Sequence, residues 1–349
     1  MAGKRILAGL TLRDLKELLN PYPPLRSRQI YEWICRGAQA FEEMTNLSLS
    51  LRKELSENFM LLSGELVSEM KDRDATVKFG IKLEDEAVIE AVILRDGKDR
   101  KTACLSSQAG CPVGCVFCKT GMLGFTRNLT AQEITSQFLH LKGKESEISH
   151  IVIMGMGEPL LNLDELRKAF DFFMDPGGLN ISKRRLTLST SGIAKGILDL
   201  AQDGPDIRLA VSLVTARQEL RDRLMPISRE NPLPMLKEAL LKYQEKMERR
   251  LTLEMVLLKG LNTGLEDAKA AADFARGLNV VFNLIPWNQV PGMEFECSLL
   301  QRPEKKEAAA FAAALENLDQ KVTLRMEKGL GIGGACGQLG VVNQQTEPK

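Results

Sequence analysis

In the stretch CLSSQAGCPVGCVFC, residues 104–118, four of the chain's seven cysteines fall within fifteen residues. Cys111, Cys115 and Cys118 form a CxxxCxxC group, and Cys104 stands apart from it. Three thiolates at this spacing can face one point from a single loop, and soft sulfur donors select zinc or an iron-sulfur cluster. A structural zinc site is normally closed by four ligands, whereas a [4Fe-4S] cluster held by three cysteines keeps one iron open to a further ligand. The competing arrangement is a zinc loop with Cys104 as the fourth ligand. Against it, Cys104 falls in a strand-like run rather than in the loop, and no histidine lies within the motif. Three unrelated structural cysteines within eight residues would be a still rarer coincidence.

The scaffold that must position these thiols is bounded by composition. A chain of 349 residues, 44% hydrophobic, suits one large α/β unit with an accessory domain. Its 47 basic and 46 acidic residues leave a net charge of +1, so no global field advertises nucleic acid, and charge neither supports nor excludes RNA. The N-terminal MAGKRILAGLTLRDLKELL breaks its apolar run at Thr11, Arg13 and Asp14, too early for a signal-peptide core. No segment approaches the roughly 18 apolar residues of a membrane helix. The expectation is a cytoplasmic protein, where an odd number of cysteines argues for ligation or catalysis over a disulfide framework.

Residues 1–62 read as a small helical domain, with helices in LTLRDLKELL, SRQIYEWICRG and LSLRKELSENF. Residues 63–101 alternate apolar and polar side chains around the turn Asp96-Gly97, the pattern of an antiparallel strand extension. From 102 to 327 strand and helix alternate about six times, with strand-like runs at 150–156, 185–190, 207–213, 251–258, 280–287 and 321–326. That rhythm predicts a parallel sheet with the strand count of a partial or full (β/α) barrel. Capping boxes are expected at Thr130 with Glu133 and at Thr263 with Glu266, and Pro303 is expected in the first turn of the last helix. Residues 328–349 form a glycine-rich, mobile C-terminal loop and tail carrying Cys336.

In such folds chemistry gathers at the C-terminal ends of the strands. GMGEP (155–159), STSG (189–192) and SL (212–213) all fall there. Glycines let backbone approach a ligand closely, and serine hydroxyls suit a polar cofactor. Taken singly, each of these is equally an ordinary turn. The cysteine spacing, with Phe117 before the last cysteine, resembles the radical S-adenosylmethionine (SAM) superfamily. The longer runs ACLSSQAGCPVGCVFCKTGMLGFTRNLTAQEI, MGMGEPLLN, LTLSTSG, NLIPWNQVPG and ACGQL are together similar to the RlmN/Cfr family of RNA adenosine methyltransferases. RSRQIYEWICRG and FEEMTNLS are similar to that family's accessory domain, so the resemblance spans nearly the whole chain.

The resemblance implies an α/β fold, a partial (β/α) barrel of radical SAM type, with a [4Fe-4S] cluster on Cys111, Cys115 and Cys118. Two SAM molecules are used per turnover. One methylates Cys336 of ACGQL, and the second, bound at the open iron, is cleaved reductively to a 5′-deoxyadenosyl radical that takes a hydrogen from the S-methyl group. The carbon radical adds to adenine, and Cys104 helps resolve the adduct through a transient disulfide with Cys336. A ring carbon of adenine is not a nucleophile toward SAM, so a covalent carrier divides an otherwise difficult transfer. Glu90 matches the family's acidic residue that touches the target adenine and accepts a proton. Gly157, Glu158, Ser189, Ser212, Leu213 and Asn288 match positions that bind SAM.

The implied partners are 23S rRNA, tRNA for dual-specificity members, and a low-potential electron donor such as flavodoxin or ferredoxin; a monomer with no membrane association is expected. Arg26 with Arg28, Lys183 to Arg185, and Arg249 with Arg250 are basic clusters that could meet phosphates or could be solvated faces. With only 5% aromatics, one flipped adenine in a pocket fits better than a stacking platform. Val214 stands where the family usually has His, and Gly331 and Gly333 replace acidic residues before ACGQL. The readings left open are methylation at C2 or at C8 of adenine, a radical SAM enzyme for a peptide or small molecule, and a noncatalytic zinc-stabilised RNA-binding module.

Overall fold

The computed structural model describes residues 4–96 and 100–340. Gly97 of the expected Asp96-Gly97 turn and residues 341–349 of the expected tail lie outside them. Ten strands form one sheet in which the order across the sheet is the order along the chain. Glu65–Lys71, Val77–Lys82, Val88–Arg95 and Lys101–Leu105 make an antiparallel meander. Ile148–Ile153, Leu186–Thr190, Arg208–Ser212, Leu251–Leu257, Val280–Pro286 and Val322–Leu324 then add in parallel, each beside its predecessor. The edge strands are Glu65–Lys71 and Val322–Leu324, so the barrel is open rather than closed. Parallel neighbours need crossovers, and helices such as Ala131–Lys144, Leu163–Met174, Ala194–Asp203, Leu233–Met247, Leu265–Ala275 and Lys305–Glu316 supply them.

Register decides what faces the lumen, because side chains alternate between the faces of a strand. Val92 pairs with Cys104, Cys104 with Val152, Val152 with Thr187, and Ser189 with Ala210. Ser212 pairs with Glu254, and Glu254 with Asn283. Glu90, Cys104, Ser189, Ser212, Glu254 and Asn283 therefore share one face. The opposite face carries Ile93, Ala103, Ile151, Leu188, Val211, Leu253 and Phe282, all buried under the helices. Each of the larger side chains among these, Ala103 aside, contributes about 1.5–3 kcal/mol on burial, which holds the register against a one-residue slip.

The three N-terminal helices, Leu12–Leu18, Pro24–Arg36 and Leu49–Asn58, fall where the sequence predicts them. They dock on the barrel through Tyr31, whose hydroxyl donates to Asp175 Oδ2 at 2.6 Å and whose ring meets Phe172 edge-on at 6.2 Å. His140 bridges Gln39 Oε1 (3.0 Å) and the Ser63 carbonyl (3.1 Å) at the same junction, and burial lowers its pKa.

The capping expectations divide. Thr130 and Glu133 form the expected box, each side chain meeting the other's backbone N–H. Thr263 and Glu266 do not: the helix starts one residue later, Asp267 caps the Gly264 N–H, and the Thr263 hydroxyl donates instead to Glu307. Pro303 lies ahead of the Glu304 cap rather than in the first turn. A carboxylate that reaches the right N–H wins over spacing in the sequence.

Tyr31→Phe removes a part-buried hydrogen bond to a carboxylate and is expected to cost about 1.5 kcal/mol, the low end for a charged acceptor, read as a lower midpoint of urea denaturation. An unchanged midpoint would mean that this junction does not depend on the Asp175 contact.

Candidate active site

The cysteine loop is fixed by backbone bonds to distant parts of the chain. Cys111 N–H donates to Gly124 O (2.8 Å), Val116 N–H to Leu224 O (3.1 Å) and Lys119 N–H to Gly337 O (2.7 Å), while Trp287 Nε1 donates to Phe117 O (2.9 Å). Cys111, Cys115 and Cys118 line one cavity of 160 Å³ in the lumen. Burial pushes the Cys111 thiol up to about 12, and it raises Cys115 and Cys118 as well, with mutual repulsion adding to the effect at Cys115. Such a set calls for bound positive charge. Among the described residues no three His, Cys, Asp or Glu groups gather tightly enough to hold a single ion. All three line the one cavity, as ligands of a shared multi-iron cluster would.

The far wall of that cavity is the row of strand ends. Gly157 has φ +106°, and a Cβ there would lie 2.6 Å from Gln108 Cβ and 2.7 Å from Ser107 Oγ, so only glycine fits. Glu158 is buried, and its carboxylate accepts from Thr190 Oγ1 (2.7 Å), Ser191 N–H (2.6 Å) and Leu160 N–H (3.0 Å), tying the GMGEP turn to the next strand. Burial raises its pKa, with these bonds opposing. Its carboxylate is thus occupied as a brace. Ser189 and Ser212 line the cavity; Leu213 is buried and passes its carbonyl to Arg221 Nε at 3.1 Å.

Among the described residues two buried lining atoms make no hydrogen bond of good geometry, Ser191 Oγ, which lies beside the Glu158 carboxylate, and Asn288 Oδ1. Orphaned polar atoms facing a cavity are expected where a polar ligand completes them. Together with three thiols and a close-approach glycine, they fit SAM bound beside a cluster.

Cys336 lies where this cavity meets a second, smaller one of 30 Å³, and it lines both. Cys104 and Arg325 line the smaller space. Burial pushes the Cys104 thiol up to about 12, Cys336 adding to the effect and Arg325 opposing it. All seven cysteines are free thiols. The segment bearing Cys336 is pinned by Asn288 Nδ2 to the Cys336 carbonyl (3.0 Å), Thr120 Oγ1 to Leu339 O (2.9 Å) and Gln338 Nε2 to Gln289 O (2.8 Å). Glu90 is 2% exposed, pairs with Lys78 at 2.8 Å and accepts the Gly340 N–H.

The departures have local reasons. Gly331 N–H donates to Asp72 Oδ2 at 2.9 Å, and a Cβ at 331 would sit 2.9 Å from Asp72 Oδ1, so an acidic side chain there would crowd and repel Asp72. The hairpin supplies the carboxylates instead, Asp74 Oδ2 accepting Gly329 N–H at 2.9 Å. Val214 is buried at φ +61°, a strained setting for a β-branched residue, held by its N–H to Glu254 O (3.1 Å) and by Asn262 Nδ2 to its carbonyl (2.9 Å). Of the basic clusters, Arg249 is engaged by Asp206 and Arg28 by Glu32, while Lys183 to Arg185 form an exposed turn.

Comparison with known proteins bears on this site. Residues 105–275 match the radical SAM superfamily model, and residues 7–61 match the ribosomal RNA large subunit methyltransferase N-terminal domain. A probable dual-specificity RNA methyltransferase RlmN of Treponema denticola is 46% identical over 97% of this chain and 96% of its own length. Its counterpart from Staphylococcus aureus is 40% identical over 93% and 89%. A crystal structure of a radical SAM methyltransferase from Sphaerobacter thermophilus superposes with a TM-score of 0.91 at 36% identity, over 96% of this chain and 99% of that one. The chain belongs to the RlmN family of radical SAM RNA methyltransferases. Membership of this radical SAM family implies SAM and a [4Fe-4S] cluster, the groups that the thiols and orphaned acceptors fit.

Sequence reasoning within the family pattern passed over three groups on the lumen face, Lys78, Glu254 and Arg325, and the buried Arg221 that bonds the strand ends beside the cavity. Glu254 accepts from Ser189 Oγ (3.0 Å) and Asn283 Nδ2 (3.2 Å) on the cavity floor. The signal available for it was a charged residue in the middle of the apolar strand LTLEMVL.

Gly157→Ala is expected to strain the turn by about 1–3 kcal/mol and to weaken SAM binding by roughly tenfold or more, measured by titration calorimetry. Because only the thiolate reacts, a thiol held near pKa 12 is protected below that pH. In folded apoprotein at pH 8, Cys104 should resist iodoacetamide while exposed Cys297 reacts, and Cys104 alkylation should rise only in strong alkali or on unfolding. Equal labelling of both at pH 8 would contradict the burial of Cys104.

Proposed function

We propose that this protein methylates C2 of an adenosine in 23S rRNA, with tRNA as a second substrate, using Cys336 as the methyl carrier and two SAM molecules per turnover. The observation that carries the reading is the place of Cys336 at the junction of two cavities, one lined by the three-cysteine loop and the other by Cys104. Support for RNA as substrate comes from the Treponema and Staphylococcus relatives, which are named as dual-specificity RNA methyltransferases. Cys111, Cys115 and Cys118 would hold the cluster, which when bound supplies one electron to SAM. Gly157 would admit the amino acid end of SAM to the backbone, and Ser189, Ser212 and Asn288 would fix its polar groups; Glu158 and Leu213 would act through the turns they brace.

In this reading Cys336 accepts a methyl group as its thiolate from one side and presents it to adenine on the other, a division of labour that a covalent carrier allows. Glu90, held by Lys78, would take the proton released from the ring carbon; Cys104 as thiolate would then attack the Cys336 sulfur, breaking its bond to the methylene carbon, which takes a proton to leave methyl on adenine and a transient disulfide on the protein. Because Gly340 N–H occupies Glu90, the Cys336 segment has to shift for adenine to reach that carboxylate. Residues 1–62 would contact RNA, residues 63–101 would carry Glu90 as the strand extension, residues 102–327 would form the barrel core, and residues 328–349 would be the moving loop and tail. A low-potential donor such as flavodoxin or ferredoxin would reduce a monomeric, cytoplasmic enzyme. Among the described residues no helix is long and apolar enough to cross a membrane.

The test is mass spectrometry of nucleosides from rRNA and tRNA treated with reconstituted enzyme. It should find 2-methyladenosine with the wild type and none with Cys336→Ala. The 8-methyl isomer would redirect the chemistry to C8, and methylation retained in Cys336→Ala would refute the carrier.

A further inference from the structure

Arg221, on the short helix Gln218–Leu224, is fully buried beside the cysteine loop. Its Nη2 donates to Ser191 O (2.7 Å) and Ser212 O (3.3 Å), and its Nε to Leu213 O (3.1 Å). One side chain thus ties together the ends of two neighbouring strands whose serines line the larger cavity. The end of the same helix also holds the cysteine loop, since Leu224 O accepts the Val116 N–H at 3.1 Å. Among the described residues Nη1 makes no hydrogen bond, and the charged side chains near enough to act on the guanidinium are Cys115 and Asp222. Asp222 is already engaged, accepting from Gln218 Nε2 (2.6 Å) and from the Ser228 hydroxyl.

A buried guanidinium with an unsatisfied N–H pair is costly to fold around, and an apolar side chain of similar length would fill the space without that penalty. The cost has a return if the missing partner is a thiolate that exists only when the metal site is loaded. We propose that Arg221 is a positioning residue of the cluster site, a fixed cation whose unpartnered Nη1 serves the Cys115 thiolate and raises the potential at which the cluster accepts its electron. Reduction adds one negative charge to a set that already carries three thiolates, and a neighbouring cation with a hydrogen bond to sulfur stabilises the reduced form more than the oxidised one. The carbonyl tethers couple that role to the cofactor pocket, because the same group that faces Cys115 sets the positions of Ser191 and Ser212.

The inference rests on Cys111, Cys115 and Cys118 being the cluster ligands. Iron and sulfide content of the wild-type protein tests that reading by itself. The experiment on Arg221 is a mediator titration with dithionite, followed by electron paramagnetic resonance, on reconstituted wild type, Arg221→Gln and Arg221→Lys. Arg221→Gln keeps an amide N–H for the Ser191 carbonyl but removes the charge; Arg221→Lys keeps the charge. The glutamine variant should show about tenfold less reduced relative to oxidised cluster at a fixed potential, a shift of about 59 mV toward more negative values for a one-electron couple. The lysine variant should stay within roughly threefold of wild type, its fixed charge being retained. A glutamine variant with the wild-type potential would overturn the proposal, even if its SAM affinity fell, because a purely structural tether moves binding and not potential. Failure of both variants to yield folded protein by circular dichroism would assign Arg221 to the scaffold and overturn it equally.

Discussion

A two-residue alternation across ten paired strands, interrupted by register shifts at Leu66/Ser68 and Lys101/Thr102, is the constraint on which the rest of this molecule depends. It places the aliphatic side chains of the sheet under the helices and leaves Glu90, Cys104, Ser189, Ser212, Glu254 and Asn283 on the lumen face. A slip of one residue in a strand that carries one of these polar groups would turn it under the helices and expose apolar neighbours, at a cost of several side chains' burial. Apolar packing on one face therefore enforces chemical order on the other. The open edge of the barrel matters as much, because the sheet ends at Val322–Leu324 and the chain that follows crosses the lumen with Cys336.

That last segment is held mainly through its backbone. Asp72 and Asp74 cap glycine N–H groups, and Asn288 and Thr120 bond carbonyls on either side. Backbone anchoring leaves the Cys336 side chain uncommitted between the two cavities. It also suits the partial release of this segment that the proposed function calls for, since each of these bonds is individually modest. The charged groups nearby are arranged around the same point, with Arg325 facing Cys336, Glu254 and Cys104, and with Lys78 on Glu90.

The strand and helix rhythm was legible because each strand is a short apolar run flanked by turn residues, and the helical N-terminal unit because its periodicity is strong. The cysteine loop, GMGEP, STSG and ACGQL were legible as motifs. What one-dimensional reading could not supply was register. Glu90 was singled out by its match to the family, but the run IEAVIL does not say which face it takes; pairing with Gly80 puts it on the lumen face beside Lys78. Glu254 and Arg221 sit in helical or strand runs with no motif, and only the pairing of distant strands makes them neighbours of the cavity. Thr263 failed as a cap for the same reason: Glu307, forty-four positions away, competes for its hydroxyl. The loss of an acidic residue at 331 is explained by Asp72 in the hairpin, a contact across 259 positions.

The central claim is that Cys336 carries the methyl group between the two cavities, and it can be read directly on the protein. Wild-type enzyme incubated with isotopically methyl-labelled SAM in the absence of RNA, then digested and sequenced by mass spectrometry, should show one labelled methylene or methyl unit on the Cys336 peptide and none on peptides of the other cysteines. An unlabelled Cys336 peptide from a preparation that goes on to place labelled methyl on adenosine would contradict the account.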